Sequence, residues 1–320
     1  MLIPRLVVGM FSVGLMVLGT GVVSGQDFPN KPVRIITSEA GGGADVVARI
    51  IAQEISGLLG EQVIIDNRAA RVVGELASRA PPDGYTLLFQ SSRIWVDPLI
   101  RKMPYDPVRD FSPISLTSSS PHILVVHPSL PVRSVKELIA LAKARPGELN
   151  FGAGGIGSST HLAAELFKSM TGVNIVDIAY KGGGLAVIGL LGGEVHLQFA
   201  TAPSVAHHVK SGRLRGLAVT SAQPSAQFPG LPTVAASGVP GYDAVILFGV
   251  FAPSRTPAAI ISRLNREIVQ VLERTDVREK FFNAGMDVVS GSPEQLAAAI
   301  KSEMVRVGKL IKDAGIKVEY

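Results

Sequence analysis

From Lys31 onward, short β-rich apolar runs alternate with longer stretches whose apolar residues return every three or four positions. The first kind predicts strands over 33–36, 63–65, 85–89, 122–127, 175–179, 214–220 and 245–251. The second predicts helices over 45–59, 135–144 and 159–170, another running to 191, and two that close the chain. Over 45–59, Val46, Val47, Ile50, Ile51 and Ile55 form one apolar stripe, the face that a core would cover. Ser134 with Glu137, and Ser292 with Gln295, have the spacing of a capping box, and Thr256-Pro257 reads as an N-cap and first helical residue. Pro82-Asp83-Gly84 and Val239-Pro240-Gly241 mark ordered turns, not a flexible linker. Strands alternating with helices argue for an α/β fold with largely parallel sheets.

The first residues follow a different pattern. Arg5 is the only charge before Asp27, residues 6–23 are apolar or small, and Val23-Ser24-Gly25 offers small side chains for cleavage. A positive start, an apolar middle and a small-residue exit predict a secretory signal peptide over 1–25. The remaining chain exceeds the usual ~100–200 residues of one domain, which predicts two lobes. The absence of cysteine removes disulfides and thiolate metal sites. Net charge is +5, but the Lys and Arg residues are scattered and Trp95 is the single tryptophan. A nucleic-acid partner would need basic residues gathered on one face, so none is expected. A mildly positive surface suits small anions.

Three glycine clusters stand where a strand runs into a helix: Gly41-Gly42-Gly43, Gly152 to Gly157, and Gly182-Gly183-Gly184. Glycine lets the backbone approach a ligand closely, and the following helix offers unpaired N–H groups at the positive end of its dipole. Three such starts facing one cleft would hold a carboxylate. The second cluster also matches G-x-G-x-x-G, with Asp177 twenty residues beyond Gly157. That is the spacing of a dinucleotide fingerprint, but Asp177 falls inside a predicted strand, whereas the ribose-binding acid belongs at a strand's carboxyl end. No G-x-S-x-G or H-E-x-x-H occurs, and Ser158, Ser159 and His161 are placed for capping a helix. The six histidines read as structural or surface residues. No catalytic residue, metal or cofactor is expected.

In order and spacing, a longer set of segments resembles one family over nearly the whole chain. They include Lys31-Pro32-Val33-Arg34-Ile35-Ile36, Gly41-Gly42-Gly43-Ala44-Asp45, Asp66-Asn67-Arg68 and Pro82-Asp83-Gly84-Tyr85-Thr86-Leu87-Leu88. They continue with Tyr105-Asp106-Pro107, Val125-Val126-His127-Pro128-Ser129-Leu130, Gly157-Ser158 with His161-Leu162, Tyr180-Lys181-Gly182 and Leu190-Leu191-Gly192-Gly193. The chain is similar here to the substrate-binding receptors of tripartite tricarboxylate transporters, the Bug-type periplasmic receptors. The resemblance implies a two-lobed, type II-like Venus-flytrap fold of the periplasmic-binding-protein kind, with a cleft between lobes. It implies lobes at 26–122 plus 246–320 and at 123–245.

The implied function is capture of a small carboxylate for two integral membrane transporter subunits by a monomeric periplasmic protein, with no chemistry done on the ligand. The family pattern carries ligand contacts to Gly41, Gly42, Gly43 and Asp45, and to Gly157, Ser158 and Ser159. Ser91, Arg93, Lys181 and Gly182 complete the candidate set, with Arg93 proposed to pair a second acidic group. The chain departs from its relatives at Thr37-Ser38-Glu39-Ala40, which is one residue shorter and carries Glu39, and at 69–73, which lacks the usual glycines. An exported enzyme using the glycine loops for a phosphate or cofactor is the alternative. Dicarboxylates, tricarboxylates, amino acids and aromatic acids all remain open as ligands.

Overall fold

The computed structural model describes residues 28–38, 40–41 and 43–316. The expected signal peptide, Glu39 and Gly42 lie outside the described residues. The chain begins with β1 (Val33–Thr37), α1 (Gly43–Leu59), β2 (Val63–Asn67), α2 (Ala70–Ser78), β3 (Thr86–Ser91) and α3 (Arg93–Ile100). Strand β1 lies between β2 and β3 and runs parallel to both. A strand of 16 residues follows, β4 (Phe111–Val126), roughly 50 Å long at the usual rise per residue. Next come α4 (Val135–Ala144), β5 (Asn150–Ala153), α5 (Ser159–Thr171), β6 (Val176–Ala179), α6 (Gly183–Leu191), β7 (Leu197–Thr201), α7 (Ala202–Lys210) and β8 (Arg215–Val219). The chain returns through β9 (Val245–Pro253) and ends with α8 (Ala258–Glu273), α9 (Thr275–Asn283), β10 (Asp287–Val288) and α10 (Pro293–Asp313).

The strand order is β2-β1-β3-β9-β4-β7-β5-β6, with β8 and β10 also on β4. Strand β4 divides its partners. Over Phe111–Pro121 it pairs antiparallel with β9, and over His122–Val126 with β7 and β8. The buried apolar residues follow the same division. Two clusters draw on residues before Ser118 and after Leu247, among them Val47, Phe89, Ile268, Trp95 and Ile300. The other two lie within residues 123–242, around Phe167, Phe199, Tyr242 and Val205. Two α/β lobes therefore have separate cores, and one long strand belongs to both.

Local sequence explains most boundaries. Ser158 Oγ accepts the His161 N–H and caps α5, which ends at Gly172 with φ of 68°. Ser292 and Gln295 form the reciprocal capping box of α10. At α4, Ser134 accepts the Glu137 N–H, but the Glu137 carboxylate takes the Arg133 N–H instead of the N-cap's own, so the box is only half made. Thr256 does not cap α8. Its hydroxyl donates to Pro253 O at 2.8 Å, and the helix starts after Pro257.

Candidate functional site

A cleft of ≈ 940 Å³ lies between the lobes. Both lobes and the strand that joins them contribute to its walls, and four helix starts reach it. From one lobe come the start of α1, with Ser38, Ala40, Gly41 and Gly43, and the start of α3, with Ser91, Ser92 and Arg93. From the other come the start of α5, with Gly157, Ser158 and Ser159, and the start of α7, with Thr201, Pro203 and Ser204. Each start presents N–H groups that no helical carbonyl satisfies, at the positive end of the helix dipole. The arrangement suits an anion held from both sides at once.

The approach of α1 is braced from below. Asp45 Oδ2 accepts the Gly41 N–H at 2.8 Å, and its Oδ1 accepts from Asn67 Nδ2 at 2.8 Å and meets Arg49 Nε at 2.9 Å. Burial works to raise the Asp45 pKa, but these donors outweigh it and hold the carboxyl below its ordinary value. Asn67 also donates to Ser38 O at 2.7 Å. Gln90 ties the loop to its neighbour, since its Oε1 accepts the Ser91 N–H at 2.8 Å and its Nε2 donates to Ser38 Oγ at 2.9 Å. Two loops that face the cleft thus share one hydrogen-bonded frame.

Gly41, Gly43, Ser91, Arg93, Gly157, Ser158 and Ser159 therefore line one cleft. Asp45, Lys181 and Gly182 do not. Asp45 is turned inward as the anchor just described. The third glycine cluster sits at the start of α6, against the second cluster and away from the cleft. A Cβ added at Gly154 would lie 2.9 Å from Gly183 N, so the glycines there permit two turns to pack backbone on backbone. The sequence predicts three glycine-lined helix starts around one ligand; the structure brings two of them together with α3 and α7, which carry no glycine cluster.

Charge in the cleft is internally balanced. Among the described residues its lining carries two cations, Arg93 and Arg306, and two carboxylates, Asp97 and Glu303. Arg93 Nε donates to Asp97 Oδ2 at 3.0 Å, so the guanidinium expected to meet a second acidic group already has a carboxylate partner. Arg306 donates to Asp243 O. Glu303 accepts from Trp95 Nε1 at 3.0 Å, and burial raises its pKa against that hydrogen bond. His122, one of the six histidines expected to be structural or on the surface, also lines the cleft. Its Nδ1 lies 3.2 Å from Ala244 O, and a carbonyl only accepts, so Nδ1 carries the hydrogen. Burial pushes its pKa down to about 4, leaving a neutral ring whose Nε2 has no partner among the described residues. Glu303, Arg306 and His122 reach the cleft through the C-terminal helix and the long strand, and no local motif announces them. The remaining wall is largely apolar, with Leu162, Leu166, Ile246, Phe248, Met286 and Leu310.

Two α/β lobes joined by a shared strand, with helix starts from both aimed into the crevice between them, define a solute-binding protein of the periplasmic type. The chain belongs to the tripartite tricarboxylate transporter receptor family, whose pattern it matches over residues 47–316. It is 37% identical to Protein BugT of Bordetella pertussis over 317 residues, covering 96% of this chain and 97% of that one. Among solved structures it is similar to R. palustris Rpa4515 with adipate, with a TM-score of 0.79 and 35% identity over 92% of this chain and 100% of that one. It is also similar to periplasmic binding protein BugD, with a TM-score of 0.75 and 30% identity over 92% and 100% of the two chains. Receptors of this family bind solutes and are not enzymes. No helix among the described residues is long and apolar enough to cross a membrane.

Proposed function

We propose that this chain is an exported receptor that captures a small carboxylate between its lobes and delivers it to the membrane subunits of a tripartite transporter. The observation that carries the reading is the convergence of four helix starts, two from each lobe, on one cleft. A carboxylate bound there takes backbone N–H donors from both sides, so it stabilises the closed arrangement more than the open one, which is what a receptor read by a partner requires. The lobes divide at 26–122 plus 246–320 and at 123–245, with the hinge where β4 passes His122 and the chain returns at Val245. The protein acts as a monomer in the periplasm after loss of its leader.

The lining also limits the ligand. Arg93 spends its Nε–H on Asp97 and Arg306 one N–H on Asp243 O, so backbone amides and hydroxyls share the recognition of the anion with the guanidinium donors that remain. The apolar wall matches an acid with a hydrocarbon body, as in the adipate-bound relative Rpa4515. Ser158 is occupied as the cap of α5, which fits a binding role.

A thermal-shift panel of mono-, di- and tricarboxylates, nucleotides and phosphate tests this function. At a hundred times Kd a ligand adds about 2.7 kcal/mol, which raises the Tm of a chain this size by several degrees. The expected result is that one or a few carboxylates with apolar bodies, adipate among them, stabilise the protein. Stabilisation by nucleotides or phosphate with no response to any carboxylate would favour the enzyme alternative.

A further inference from the structure

The Gly157–Ser159 wall of the cleft is fastened from behind by a side chain that does not itself line it. His161 stands in the first turn of α5 and is 4% exposed. Its ring Nδ1 accepts the Gly157 N–H at 3.3 Å, while its own backbone N–H donates to Ser158 Oγ at 3.2 Å. A backbone N–H only donates, so Nδ1 carries the lone pair and the ring's hydrogen is on Nε2. That Nε2 faces Asp177 Oδ2 at 3.6 Å. Gly157 is held at φ of 77°, in the left-handed region, at the point where the loop turns into the helix. One residue therefore fixes both positions, Gly157 through its ring and the Ser158 hydroxyl through its backbone N–H.

We propose that His161 is the positioning residue of the ligand loop: its neutral Nδ1 holds Gly157 in the binding geometry, and protonation of the ring releases Gly157 and weakens ligand capture. The proposal deepens the receptor reading and rests on it for the identity of the cleft. A proton on Nδ1 turns an acceptor into a donor aimed at another donor, so the bond to Gly157 is replaced by repulsion. Asp177 from β6, and Glu165 and Lys168 from α5 itself, are the charged groups around the ring, and the Phe151 ring of β5 lies 6.4 Å away between centroids. Burial lowers the His161 pKa, Asp177 and Glu165 oppose that, Lys168 adds to it, and the net direction is below the ordinary 6.5. The sign follows. The loop is held at neutral pH, where the ring carries no charge, and is released as pH falls through the folded ring's own pKa, which lies below 6.5.

Two substitutions separate positioning from simple structural support. His161→Asn puts a carbonyl oxygen near the place of Nδ1 and does not titrate, whereas His161→Phe keeps the ring's bulk and removes the acceptor. The readout is amide hydrogen exchange of Gly157 in the ligand-free protein from about pH 8 down to the lowest pH at which the protein stays folded, each rate divided by the intrinsic rate. The wild type is expected to protect Gly157 at the upper end and to lose roughly tenfold of that protection toward the lower end, the scale of one buried hydrogen bond lost and its donor left unsatisfied. His161→Asn should protect at both ends, and His161→Phe at neither. Affinity for adipate should follow the same order. Equal protection in all three proteins, or the same pH course in the wild type and His161→Asn, would overturn the proposal. If no carboxylate binds any of the three, the receptor reading fails, while the Gly157 exchange result still decides the role of His161.

Discussion

At Gly157 an added methyl group would meet Ile100 Cδ1 at 2.5 Å, on a backbone whose φ of 77° already resists a side chain. Ile100 ends α3 in one lobe and Gly157 opens α5 in the other, so this glycine also sets how closely the lobes meet. Gly157→Ala is expected to cost about 1–2 kcal/mol from the left-handed backbone alone, and to weaken ligand binding by holding the loop off Ile100. Urea denaturation and titration calorimetry on the same preparation read the two effects. Full retention of affinity would show that the Gly157–Ile100 contact is irrelevant to binding. Residues of this kind were legible in the sequence, because a glycine run before a helix has a local physical meaning. Asp45 was legible as important but not in its role. Only the fold shows that its carboxylate faces Gly41, Asn67 and Arg49 and leaves the cleft to the backbone. His122, Glu303 and Arg306 were not legible as cleft residues, since nothing within a few positions of each signals where its strand or helix will lie.

Among the elements, those with strong period or caps were readable and those whose burial comes from distant partners were not. Helices α5 and α10 start at the caps their sequences offer, and α1 buries Val47, Ile51 and Ile55 of its expected stripe while Val46 is exposed in the cleft wall. The first part of β4 reads Phe-Ser-Pro-Ile-Ser-Leu-Thr-Ser-Ser-Ser-Pro from Phe111 to Pro121, a composition that suggests a loop. It is a strand because β9 pairs with it along nearly that whole stretch, and Ser115, Thr117 and Ser118 are buried there. Helix α3 has Pro98 inside it, and α7 begins Ala202-Pro203 and contains His207-His208, so neither shows a clean stripe. Both nevertheless bring their starts to the cleft. The capping box of α10 allows a control at this scale. Ser292→Ala should lower stability by about 1 kcal/mol and leave carboxylate affinity unchanged, because Ser292 is not part of the cleft lining. Denaturant melts with and without ligand measure both quantities. A loss of affinity as large as the loss of stability would mean that the helix position, and not the local cleft, governs binding.

For the molecule as a whole, alternation of strands and helices gave the fold class, and the order of many short segments gave the family. The way the lobes share a strand was not accessible, because pairing of β4 with β9 on one side and with β7 and β8 on the other is set by contacts more than seventy positions apart. That shared strand explains why no break in composition separates the lobes. It also places His122, hydrogen-bonded to Ala244 O, where both crossings between lobes run side by side. A carboxylate at the four helix starts would draw the lobes together about this point. The most direct test is a crystal structure of the protein with the carboxylate that stabilises it most. The ligand's carboxylate is expected within hydrogen-bonding distance of backbone amides at the starts of both α1 and α5, in a closed cleft. A ligand bound elsewhere, or held by one lobe while the opposing helix starts face only solvent, would contradict it.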